Sequence, residues 1–210
     1  MKYILIVLLI FTITISLKWN TKSINNISDC NDKNIVEVSD DGHLIIPWDK
    51  RNSITWDCYK GTIPDSLKQH SAVTVVSIIP RELKIYNDSI VMNVFCFFYS
   101  DLSGKDETSI SENLFAHEMK HFDLAEVCTR KLRKELTEYI SKNANDTQYF
   151  FNEIIKKHHK ILIEDANKYD NETDYSKNIT GQKKWDKKID SLLNTYKNYS
   201  NPHIVIKKKW

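Results

Sequence analysis

The sequence predicts an α+β fold, an N-terminal antiparallel sheet followed by a three-helix region whose first long helix carries an H-E-x-x-H motif. Three observations predict it. Between Ile35 and Tyr99 the apolar residues come in short or alternating runs separated by turn residues, the pattern of strands. From Ser109 onward their period changes from two to about 3.6, the period of helices. Soon after that change, His117-Glu118-Met119-Lys120-His121 sets three ionisable groups on the apolar stripe of the first helix.

The strand runs are Ile35–Val38, His43–Ile46 after Asp40-Asp41-Gly42, Ser53–Trp56, Ala72–Ile79, Leu83–Tyr86 after Pro80, and Ile90–Phe98 after Asn87-Asp88. Asp41-Gly42 and Asn87-Asp88 are hairpin-type breaks, which makes the sheet antiparallel. Ile90–Phe98 is apolar on both faces, as a central strand is. Placed just before the motif, it is also a candidate edge for an extended peptide.

Ser109 and Glu112 have the S-x-x-E spacing of a capping box and start the first helix. Its stripe runs Leu114, Phe115, His121, Phe122, Ala125, Cys128, Leu132, Leu136 and Ile140, and Asn143 to Asn145 end it. A second helix, about Asp146 to Tyr169, carries Phe150, Ile154, Ile155, His158, Ile161, Leu162 and Ala166. The polar segment Asp170 to Thr180 reads as a loop, and a third helix from Gly181 to Tyr199 shows Trp185, Ile189, Leu192, Leu193 and Tyr196.

Residues 1–17 have the charged start and roughly 15-residue apolar stretch of a signal peptide or N-terminal anchor. A spanning helix needs about 20 apolar residues, so residues 3–17 hold the chain to a membrane only if they are not cleaved. Residues 18–34 read as a flexible lead, 35–200 as a single zincin-like domain and 201–210 as a solvated tail. Export is the expected localisation. With 30 Lys plus Arg against 28 Asp plus Glu, the net charge of +2 gives no basic field for nucleic acid. Cys30, Cys58, Cys96 and Cys128 allow two disulfides in an exported chain, or leave Cys96 and Cys128 as buried apolar residues. None forms a C-x-x-C pair.

Four residues of helix rise about 6 Å and turn by about 40° past one revolution, so His117 and His121 project from one side. That spacing lets two imidazoles reach one zinc ion, and Glu118 at the edge of the same face is the candidate general base. Peptide hydrolysis by a metal-activated water is the reaction this trio suits, with a peptide or protein as substrate. Leu124 and Val127 occupy the positions where a metzincin has glycine and histidine, which excludes that subclass. Glu126 reads as an ion-pair partner of Arg130 at i+4. Cys128, about 10 Å from His121, is too far to share the ion.

Several blocks carry a resemblance: Ile54-Thr55-Trp56-Asp57 with Gly61, Ser66 to Thr74 with Ala72, and Leu114-Phe115-Ala116-His117-Glu118-Met119-Lys120-His121-Phe122-Asp123. Glu126, Arg130, Leu132 and Arg133 extend the last of these, and Tyr169-Asp170, Thr173, Gln182 and Trp185 form a final one. From about Trp48 to Leu193 the chain resembles a bacterial domain family of unknown function whose members are described as predicted secreted zinc-dependent proteases. The resemblance implies a β-rich half, a metal helix and further helices, with His117 and His121 as zinc ligands. In that family a His-Gly pair follows the threonine matching Thr173 by two residues, and the histidine is a plausible third ligand. Here the pair is Tyr175-Ser176. The third ligand stays open among Tyr175, Asp174, Asp170 and Glu164. If none serves, the expectation becomes a catalytically inactive metal-binding or structural envelope protein.

Overall fold

In the computed structural model, residues 36–141 and 144–209 are described. The expected leader and lead, and Cys30 with them, lie outside the described residues. The apolar run Ile90–Phe98 becomes β5 (Ser89–Tyr99), whose residues alternate in burial at first and are buried on both faces from Cys96 to Tyr99. It pairs antiparallel with β2 (Leu44–Pro47) through Ile45↔Tyr99 and Pro47↔Phe97, and with β8 (His203–Lys208) through Ser89↔Lys207 and Asn93↔His203. It also pairs with β4 (Val76–Ile85). Three strand neighbours occupy both sides of β5, so the peptide-binding edge expected there does not exist.

The fold is α+β with strands first and helices after, as the sequence predicts, yet four local expectations change. Residues 201–210 are not a tail, because His203–Lys208 buries Ile204 and Ile206 and so enters the sheet as a strand of period two. The sheet is mixed rather than antiparallel, since β7 (Ile140–Ser141) runs parallel to β8. Ser53–Trp56 is not a strand but the junction of two 3-10 turns, Trp48–Ser53 and Trp56–Cys58, the second held by Thr55 Oγ1, which accepts from the Asp57 N–H at 3.3 Å. Pro80 lies inside β4 instead of ending a strand. Among the described strands β4 pairs only with β5, and an edge tolerates the missing donor.

By its internal contacts the chain divides into two compact units, and the ranges of β4, β5 and α1 (Glu112–Glu138) each include residues of both. The first comprises 36–77 and 97–122. It holds β1 (Glu37–Val38), β2, the end of β5, and a small second sheet of β3 (Ala72–Val73) with β6 (Gly104–Lys105). Its core is Ile45, Ile46, Ile54, Cys58, Tyr59, Phe97, Phe98 and Phe122. Gly61 and Gly104 form a bridge here because the backbones nearly touch: a Cβ on Gly61 would lie 2.6 Å from the Asp101 carbonyl oxygen.

The second unit comprises 78–96 and 123–209, with the rest of α1, α2 (Ala144–Thr173) and α3 (Ile179–Thr195). Helix α1 starts two residues later than the Ser109 spacing suggests. Ser109 Oγ donates instead to Asp106, while Ser111 Oγ accepts the Leu114 N–H at 3.2 Å and acts as the cap. From His121 to Arg130 every residue of α1 is buried, so this stretch is covered on every face and not only along one stripe. Glu126 accepts from Arg130 Nε and Arg133 Nη1, each at 2.8 Å, as its spacing to Arg130 predicts. Arg133 Nε also donates to the Val94 carbonyl at 2.8 Å. Cys58 is disulfide-bonded, and Cys96 and Cys128 are free, buried thiols.

Candidate metal centre

The motif lies in the first half of α1, where a regular backbone fixes the relation of its side chains. His117 and His121 sit one turn apart with ring centroids 5.0 Å from each other and the rings edge to face. They are 2% and 9% exposed, and Glu118 is 5% exposed. Polar side chains this deep are costly unless they meet partners or a ligand.

Asp170, 3% exposed, supplies the third group. Among the described residues, one set of His, Cys, Asp or Glu side chains converges enough to hold a metal ion: His117, His121 and Asp170, whose ligand atoms lie within 4.8 Å of one another. Two imidazoles and one carboxylate are a donor set that divalent zinc accepts, with bonds of about 2.0–2.2 Å. The set fits a metal ion. Of the carboxylate candidates for the third ligand, Asp170 joins the histidines, and Asp174 and Glu164 do not belong to the group. Burial, with the Asp170 and Asp174 carboxylates nearby, pushes the Tyr175 phenol above its usual range and away from the phenolate a metal would need.

Asp170 is not in a loop. Helix α2 runs on to Thr173, and Asp174, Tyr175 and Ser176 then take three successive left-handed conformations, with φ of 46°, 53° and 75°. The turn is closed by the Tyr175 N–H donating to the Asp170 carbonyl at 3.0 Å and the Asn178 N–H donating to the Thr173 carbonyl at 2.8 Å. Asn178 then caps α3 by accepting the Gly181 N–H at 3.0 Å. Residues flanking Asp170 lock the α2–α3 corner: Gln182 Nε2 donates to Tyr169 Oη at 2.7 Å, and Trp185 Nε1 donates to Glu172 Oε2 at 2.8 Å. The rings of Tyr169 and Trp185 meet edge to face at 5.4 Å. The last sequence block, Tyr169-Asp170, Thr173, Gln182 and Trp185, is thus largely one packed corner whose product is the placement of Asp170.

Glu118 has its own support. Its Oε2 accepts from Thr74 Oγ1 at 2.6 Å, and Thr74 Oγ1 lies 2.7 Å from Tyr59 Oη, all three side chains being buried. Burial, and then the nearby Glu118 carboxylate, hold the Tyr59 phenol well above its usual pKa, so it stays a neutral donor. Neither Tyr59 nor Thr74 is marked by any spacing rule, since they stand 59 and 44 residues before Glu118. The one available signal is a threonine inside the apolar run Ala72–Ile79.

Other polar residues weighed on sequence are placed elsewhere. Glu126 is taken by Arg130 and Arg133. His158 faces Glu135, with Nε2 3.1 Å from Oε2, and Cys128 Sγ donates to the His158 carbonyl at 3.1 Å. No family model matches this chain, and no curated protein or solved structure matches it significantly.

Proposed function

We propose that the protein is an exported zinc-dependent hydrolase of peptide bonds. One observation carries the reading: a helix presents His117 and His121 to the same point as Asp170, with the Glu118 carboxylate on the residue next to the first ligand. Catalytic zinc sites use three protein ligands and keep a further position for water or substrate, and three such His and Asp side chains converge among the described residues. When bound, the ion polarises the scissile carbonyl and makes water acidic enough to lose a proton near neutral pH.

The chain's own residues do the rest. His117, His121 and Asp170 hold the ion; Glu118 takes a proton from the attacking water and delivers one to the leaving amine, the role its free valence as a carboxylate suits. The burial of all four keeps bulk water from competing for these bonds. The disulfide at Cys58 suits an oxidising compartment and supports export. The sequence blocks shared with predicted secreted zinc-dependent proteases point the same way.

The test has two arms. Metal analysis of the purified protein is expected to give one zinc per chain, lost in His117→Ala and Asp170→Ala; iron in its place, or no metal, sinks the zinc assignment. A peptide-library digest is expected to show cleavage that Glu118→Gln slows by about 10²–10⁴-fold with zinc retained. Zinc bound at full stoichiometry without cleavage, together with a fourth protein ligand, would favour the alternative of an inactive or structural metal site.

A further inference from the structure

We propose that Thr74, backed by Tyr59, is the positioning residue for Glu118, fixing which carboxylate oxygen faces the reaction; its catalytic consequence rests on the hydrolase reading above. Thr74 Oγ1 is the donor in its contact with Glu118 Oε2, and a threonine hydroxyl has one proton to give. The 2.6 Å contact to Glu118 Oε2 therefore uses the Thr74 proton, and the 2.7 Å contact must be Tyr59 donating to Thr74. The chain of donors runs one way, Tyr59 to Thr74 to Glu118. An O–H···O⁻ bond of about 2.5–2.7 Å is in the charge-assisted range, stronger than a neutral one. It takes one of the two acceptor sites of Oε2 and fixes the carboxylate plane, which leaves Oε1 as the oxygen proposed to face the reaction.

The fold holds both donors by their backbones. Thr74 follows β3, which pairs with β6, and on its other side the Val75 N–H donates to Ser103 Oγ at 2.9 Å while the Val75 carbonyl accepts the Tyr99 N–H at 2.9 Å. Tyr59 follows Cys58, whose carbonyl accepts Ser100 Oγ at 2.6 Å, and its ring meets Phe98 edge to face at 5.1 Å. Two segments distant in sequence are thus pinned to the loop after β5 and hold their hydroxyls in line with Glu118. A glutamate on an exposed helix face would sample several rotamers; this one is tethered before substrate arrives.

The experiment uses the full chain loaded with zinc. Thr74→Val is expected to lower kcat by about 10–100-fold, the loss that goes with one hydrogen bond to a charged group, with KM and zinc content unchanged. Thr74→Ser should restore kcat to within about 3-fold, because it keeps the hydroxyl, and Tyr59→Phe should cost less than Thr74→Val. Wild-type kcat in Thr74→Val, or a Thr74→Ser protein as slow as Thr74→Val, overturns the proposal. A second readout is independent of activity: the Glu118 carboxylate stretch, isolated as the infrared difference between wild type and Glu118→Gln, should shift in Thr74→Val and stay in Thr74→Ser. An unmoved band overturns the proposal whatever the activity. A band that moves in a protein that cleaves no peptide leaves Thr74 as the residue holding Glu118 and removes the hydrolase reading instead.

Discussion

Helix α1 buries two sets of charged and polar side chains, one in each half, and they differ in kind. In the second half Glu126 is matched: Arg130 and Arg133 each reach its Oε1 at 2.8 Å, and the two guanidiniums also donate to backbone carbonyls of Val94, Leu193, Tyr199 and Ser200. In the first half the converging atoms of His117, His121 and Asp170 are all electron-pair donors. A matched set ties elements together, whereas a set of ligand atoms gathered in one place could hold a cation. The difference teaches that burial of ionisable groups is not itself a mark of function; the signs of the groups decide.

The comparison can be broken at either end. Glu126→Ala would leave two guanidiniums buried without their carboxylate, and losing one partner of a buried pair costs about 3–5 kcal/mol. Urea unfolding of the metal-free protein should show it, and a variant as stable as wild type would mean the matched set is not structural. The first half should behave oppositely. Zinc at about 100 times its Kd should raise wild-type stability by about 2.7 kcal/mol, and it should do nothing for His117→Ala, whose metal-free stability should fall less than that of Glu126→Ala. Equal responses to zinc in the two proteins would place the metal elsewhere.

A smaller effect sharpens the role of the α2–α3 corner. A Cβ at Gly181 would lie 2.2 Å from the Glu172 carbonyl oxygen, so Gly181→Ala must push the start of α3 away from the end of α2. A forced backbone shift of this kind costs about 1–3 kcal/mol. Because the same corner carries Asp170, zinc affinity should fall with stability, whereas Glu126→Ala studied below its unfolding transition should keep its affinity. Titration with a competing chelator separates the two.

How much of this could be read from the sequence follows from the range of each interaction. The change of period near Ser109 and the spacing of His117 and His121 are local, so the α+β order and two of the three residues that could hold a metal were legible. Glu126 with Arg130 is likewise one helical turn. Asp170 stood among four candidates, because a ligand brought in from 49 residues beyond His121 has no local spacing to mark it, and the polar run after it looks like a loop although Asp170 to Thr173 are helical. Tyr59 and Thr74, equally remote from Glu118 along the chain, likewise have no local spacing that ties them to it. The C-terminal strand was misread because Lys207, Lys208 and Lys209 suggest a solvated end, while the alternation Ile204, Ile206 is only two apolar residues long.

The smallest expected effect lies in the second half of α1 and tests whether its polar contacts are structural throughout. Cys128, His158 and Glu135 stand in the order of a nucleophile, a base and an acid, with Cys128 Sγ 3.7 Å from His158 Nδ1. Burial pushes the Cys128 thiol up to about 12, and it donates to a carbonyl, so it is no nucleophile. Burial also lowers the His158 pKa, opposed by Glu135, with Lys157 and Lys131 adding to the lowering. The folded protein therefore keeps this imidazole neutral where the unfolded chain protonates it, near about 6.5. Below that pH the unfolded state binds more protons, so stability should fall with pH until the lowered folded pKa is reached. His158→Gln should flatten the decline in denaturant midpoint between pH 7.5 and 5.5, leaving the part due to His159, whose pKa is lowered by burial and by His158. Glu135, held below its ordinary value by Lys157 and His158 against the opposing effect of burial, acts in a lower window: its contribution is present above the ordinary glutamate pKa and is lost as pH falls through the folded one. An identical slope in wild type and His158→Gln would show that His158 does not stay neutral in the fold, and the matched character of this half of the helix would then end at Glu126.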